Sequence, residues 1–175
     1  MRKLAILAGG ALAAATAALV LGIIAAGKKG EPGFFGPGVL LADVNLALEI
    51  LLVLGLTLGF FLARAGKIEA HRVNQTIWVL VNAALVAFIM VSSLQDVKLK
   101  SIAELADTRY WVTWLHALIG TFTVTAGLWL VLQMNDVLPQ RFHVGWWKNL
   151  MRLTLAGYWA VAMLGLATYY FWYAG

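Results

Sequence analysis

The chain has no cysteine, only three prolines among 175 residues, and charge on just 12% of its positions. Without cysteine there is no disulfide, no thiolate metal site and no covalent c-type haem attachment, so any metal would rely on histidine, carboxylate or methionine. With so few charges against 62% hydrophobic residues, no soluble core could hide the apolar surface, and the composition belongs to the membrane class. Signatures of catalysis are missing as well. There is no nucleophile with an adjacent base, no Walker-type phosphate loop and no His-Glu-x-x-His spacing, so the chain is expected not to be an enzyme. The lack of an internal repeat or of paired interrupted helices disfavours a small transporter. The lack of a basic stripe with interleaved aromatics disfavours nucleic acid as a partner.

What is present is apolar length. Five runs, Leu4 to Ala26, Val39 to Ala63, Thr76 to Leu94, Tyr110 to Met134 and Leu150 to Tyr173, can each cross roughly 30 Å of hydrocarbon at about 1.5 Å per helical residue. Their uniform Leu, Ala and Val content differs from the short alternating segments of a barrel. The predicted fold is an all-α membrane protein, a four-transmembrane-helix bundle preceded by one extra N-terminal transmembrane helix. The first run follows Arg2 and Lys3 in the manner of a signal peptide, yet its 23 residues exceed a secretory apolar region of about 7 to 15. Residues 1–30 are therefore expected to be an uncleaved anchor, or signal-like helix, standing apart from the core. Residues 31–38 form a Gly/Pro linker, and residues 39–175 form the four-helix domain.

The net charge of +5 reads mostly as an orientation signal. Eight Lys and Arg residues lie on the side of the N-terminus against five on the other, which places the N-terminus and the second-third and fourth-fifth connections in the cytoplasm. Tyr110, Trp111, Trp114, Trp146 and Trp147 fall at the interfaces where aromatic belts form.

Ionisable groups beside so much apolar sequence are the candidate sites. His71 and His143 sit in basic connections near Lys67, Arg72 and Arg141, and lipid headgroups or a partner are their simplest contacts. His116 lies inside the fourth run, on a stripe with Thr113, Gly120, Thr123 and Gly127 at alternating spacings of three and four. That stripe is expected to face protein, whereas Leu130 is expected on the lipid side. Close packing accounts for His116 as readily as a ligand role does. On the second run, Asn45 and Glu49 share a face. Glu49 falls roughly 15 Å deep, where a charge costs about 2.5 to 3.5 kcal/mol, so it is expected to be protonated or paired with a polar group such as Asn82. Its alternatives are a proton relay, a cofactor contact or a packing hydrogen bond. Asp43 and His116 both lie near the outer surface, where the carboxylate could orient the imidazole. Ser92, Ser93, Gln95 and Tyr169, at similar depth, are poor ligands, so a transient metal contact is open but no permanent metal site is expected. No cofactor is demanded. Haem, copper or pigment are the groups that His116, His71 and His143 could hold.

From Asn45 to the C-terminus the chain resembles the DUF420-type family of small four-helix bacterial membrane proteins, which includes the haem-copper oxidase maturation factor CtaM. The resemblance rests on Asn45, the segment Gly66 to Arg72 with His71, Asp107 to Tyr110, His116, Arg141 with His143, Arg152, Gly165 and Tyr169. Two departures stand out. The family often has a further histidine near Ser92 to Gln95, and a proline where this chain has Ala156. The resemblance implies a non-catalytic protein of the bacterial inner membrane that supports cytochrome c oxidase assembly in the respiratory chain, with terminal-oxidase subunits as partners. A permanent accessory subunit of a respiratory or photosynthetic complex, contacting haem or pigment, is the alternative. A b-type haem electron-transfer subunit is a third.

Overall fold

The computed structural model describes residues 2–90, 104 and 106–175. Among them are five long helices: α1 (Arg2–Ala25), α2 (Leu40–Arg64), α3 (Ile68–Leu85, continued by a π-helical turn at Val86–Met90), α4 (Thr108–Met134) and α5 (Trp147–Tyr173). All five are long and apolar enough to span a membrane, and the described residues contain no strand beyond one isolated bridge between Pro32 and Val39. The protein is an all-α, multi-pass membrane-type bundle. Its outer surface carries exposed Leu118, Phe122 and Met163, an apolar coat that fits contact with lipid.

The four-plus-one division holds only approximately. Rather than standing apart, α1 packs along α3, and its Val20 joins the core of Leu52, Val79, Leu85 and Ile89. The reason is a stripe of residues on one face, mostly small, running from Ala5 through Gly9, Ala13 and Thr16 to Val20, which lets two backbones approach. A Cβ at Gly9 would lie 3.2 Å from Cα of Ile77 and 2.8 Å from Leu80. Gly9→Leu should therefore lift α1 off α3, seen as several-fold faster tryptic cutting after Lys28 or Lys29 at unchanged helix content. An unchanged digestion rate would show that the stripe does not dock α1.

The Gly/Pro segment is also tied down. Gly33 N donates to Gly38 O at 2.9 Å and Leu40 N to Glu31 O at 2.8 Å, folding the segment back over the start of α2; the end of the bundle where α2 and α4 begin is termed the outer one and the opposite end the inner one. At the outer start of α4, Asp107 caps the helix by accepting from Arg109 N at 2.9 Å. Hydrogen bonds from the Arg109 side chain hold that carboxyl below its ordinary range.

Helix α3 begins eight residues before the apolar run suggested, so His71 occupies its first turn instead of a loop. The polar residues there are spent on α2. His71 Nδ1 meets Gly59 O at 2.7 Å, Asn74 Nδ2 donates to Gly55 O at 2.8 Å, and Gln75 Nε2 donates to Leu56 O at 3.1 Å. Each carbonyl has a second lone pair free for such a bond. The third run's predicted end at Leu94, with Ser92, Ser93 and Gln95, lies outside the described residues.

Candidate functional site

The interior between α2, α3, α4 and α5 is not packed along its whole length. It opens into two cavities, one toward each end, of about 540 Å³ and about 880 Å³. The smaller, outer cavity is lined by Asn45, Glu49, His116, Gly165, Thr168 and Tyr169 among others. Helical spacing puts Asn45 and Glu49 on one face of α2, one turn apart. Gly165 on α5 provides the room: a Cβ there would fall 2.5 Å from Glu49 Oε2. Among the described residues, Glu49 Oε1, Asn45 Oδ1 and Thr168 Oγ1 are buried with no hydrogen-bond partner. Three such oxygens around one cavity are a polar lining that a donor-bearing group would satisfy.

His116 enters from α4 and its Nδ1 lies 3.1 Å from Val161 O on α5. A carbonyl only accepts, so Nδ1 carries the proton and Nε2 is the nitrogen left for the cavity the residue lines. The same logic applies at the other end. His71 Nδ1 donates to Gly59 O, and His143 Nε2 donates to Leu138 O at 3.0 Å, leaving His71 Nε2 and His143 Nδ1. Both of these histidines line the larger, inner cavity, His71 from the first turn of α3 and His143 from the connection before α5. A backbone carbonyl fixing one ring nitrogen is the usual way a protein orients an imidazole whose other nitrogen does work.

Two expected pairings are not formed. Asp43 does not orient His116. It is fully buried and accepts from Phe35 N and from the Tyr169 hydroxyl, both at 2.5 Å, which makes it a buckle between the Gly/Pro segment, α2 and α5. Asn82 does not pair with Glu49. It donates to the Tyr158 hydroxyl at 3.3 Å, because the α5 tyrosine reaches into the interior beside Gly127, where no side chain blocks it. Leu130 is buried rather than lipid-facing; it lies three residues beyond Gly127 and simply continues the protein-facing stripe, whose members Gly120, Thr123 and Gly127 are buried as expected.

Of the basic residues, Arg72 pairs with Glu69 and lines the inner cavity. Lys67 is exposed at the start of α3, and Arg141 lies over the Phe142 ring, 4.9 Å from its centroid. Tyr158 and Thr168 were missed in the sequence because a hydroxyl within an apolar run gives no signal until its neighbours are known. Asn74 and Gln75 were legible in principle, since with His71 they repeat at three and four. No three His, Asp or Glu residues cluster as a metal site among the described residues. No protein-family model, curated protein or solved structure matches the chain.

Proposed function

We propose that this is a non-catalytic integral protein of the bacterial cell membrane that supports a respiratory complex, as an assembly or maturation factor for a haem-copper terminal oxidase. In this reading the N-terminus and the basic end, with His71 and His143, face the cytoplasm. The observation that carries it is convergence. The residues on which the family resemblance rests are scattered from Asn45 to Tyr169, yet Asn45, His116, Gly165 and Tyr169 line the outer cavity, while His71, Arg72, His143 and Arg152 line the inner one. Gly66, Lys67, Asp107 to Tyr110 and Arg141, of the same set, line neither cavity. The outer cavity supplies an oriented imidazole and, among the described residues, three unpartnered oxygens, a surface suited to handling a group in transit.

Purification from the native membrane in mild detergent, with subunit ratios from mass spectrometry, tests this. Recovery alone or with sub-stoichiometric oxidase subunits supports a maturation role. A fixed one-to-one ratio with respiratory or photosynthetic subunits would make the chain a permanent component instead. Within the maturation reading, His116→Ala should lower oxidase activity in the membrane by on the order of tenfold or more at unchanged protein level, because it removes the cavity's imidazole. Glu49→Gln should be tolerated, since the amide fits the same space beside Gly165. A dead Glu49→Gln protein of normal fold would mean that the carboxyl itself is required.

A further inference from the structure

The inner cavity divides its wall chemistry by depth. Four cations line it from three helices: Arg64 is the last residue of α2, Arg72 lies early in α3, and Lys148 and Arg152 lie in the first turns of α5. Asp136 is the acid among the described lining residues. Further in, the wall is apolar, with Leu56, Val79, Leu130 and Val131. Leu56 is eight residues, or about 12 Å along the helix, from Arg64. The cations are spread on supports: Arg64 lies over Phe60 at 5.9 Å and Lys148 over Trp147 at 5.4 Å. Arg72 is half committed, with one terminal nitrogen on Glu69 and its Nε buried without a partner among the described residues.

An excess of cations at the mouth and an apolar wall beneath it match an amphiphilic anion. A guanidinium with an unused donor favours the planar, charge-assisted recognition that phosphate offers. Free phosphate would fill only a fraction of about 880 Å³ and would leave the apolar wall without a partner. We propose that the inner cavity binds one anionic phospholipid, its phosphate among Arg64, Arg72, Lys148 and Arg152 and an acyl chain along the apolar wall. The site makes the basic end of the bundle a lipid-specific anchor, whichever complex the protein serves.

The test uses the full chain, delipidated in detergent and titrated with phosphatidylglycerol, phosphatidylcholine or inorganic phosphate. Binding is followed by native mass spectrometry and by the fluorescence of Trp147 and Trp159, which line the cavity. One phosphatidylglycerol should bind. The paired change Lys148→Gln and Arg152→Gln should weaken it by on the order of tenfold, and Ala63→Trp should exclude it by filling the wall. Lys67→Gln, at the same end but outside the cavity, should leave binding unchanged, and all variants should keep the elution volume of the folded protein. Equal loss in Lys67→Gln, or equal binding of phosphatidylcholine, would overturn the proposal by reducing it to surface charge or to chain burial. Displacement by inorganic phosphate at matched concentration would assign the site to a free anion. A haem absorption band in the purified protein, lost in Ala63→Trp, would assign it to a tetrapyrrole held by His71 and His143.

Discussion

Replacing Asp43 by leucine should lower the thermal unfolding midpoint in detergent by on the order of 10 °C. The carboxyl has no exposed surface and is the acceptor for both Phe35 N and the Tyr169 hydroxyl. Its removal leaves two donors without partners, each costing about 1–3 kcal/mol. For a chain of this size each kcal/mol moves the midpoint by about 2–4 °C. Leucine adds a steric conflict, because Gly33 and Gly38 approach the carboxyl so closely that a Cβ on either would fall within 3 Å of it. Asp43→Asn keeps an acceptor and should cost less. Tyr169→Phe removes one of the two donors, so its effect and that of Asp43→Leu should combine less than additively in a double-mutant cycle. A midpoint within about 2 °C of the parent chain would show that the Gly/Pro segment is held by its backbone bonds alone.

The two ends of that buckle mark where sequence reasoning stopped. Helix number and the protein-facing stripe of α4 were legible, since apolar length and spacing decide them. The docking of α1 was not, although the stripe from Ala5 to Val20 was there to read, because small residues are common in apolar helices and only a partner gives them meaning. The start of α3 was hidden by its polarity: His71, Asn74 and Gln75 look like a connection until the carbonyls of Gly55, Leu56 and Gly59 are opposite them. Asp43 was placed near the outer surface, with His116 as its expected partner. Tyr169 was placed at the same depth but weighed only as a metal ligand, not as a hydrogen-bond donor to Asp43, and Phe35 donates through its backbone, which no side chain signals. Glu49 and His116 were singled out one by one, and the cavity that both line is a property of packing that no spacing encodes.

The α2–α3 pairing carries the second large effect: Gly55→Leu should prevent a stable fold, while Gly10→Leu or Gly22→Leu should be neutral or slightly stabilising. A Cβ at Gly55 would fall 2.0 Å from the Trp78 ring, and one at Gly59 would fall 2.6 Å from Asn74 Nδ2, whereas Gly10 and Gly22 have nothing within 4 Å. The two glycines let α3 come close enough for His71, Asn74 and Gln75 to reach α2 carbonyls. Forcing the helices apart forfeits up to three interhelical bonds, each worth about 0.6–1.7 kcal/mol, and adds an overpacking cost of about 1–3 kcal/mol. Their sum, about 3–8 kcal/mol, is comparable to the 5–15 kcal/mol that holds a typical domain together. At an exposed position the same change only removes a poor helix former, a gain of up to about 1 kcal/mol. Size-exclusion profiles and unfolding midpoints of the three variants decide the matter, and equal behaviour at all three would mean that the close approach contributes little. The consequence reaches the inner cavity, because Gly59 O fixes the His71 ring. Gly59→Ala, mild enough to fold, should therefore loosen that imidazole and weaken whatever the inner cavity holds before it costs much stability.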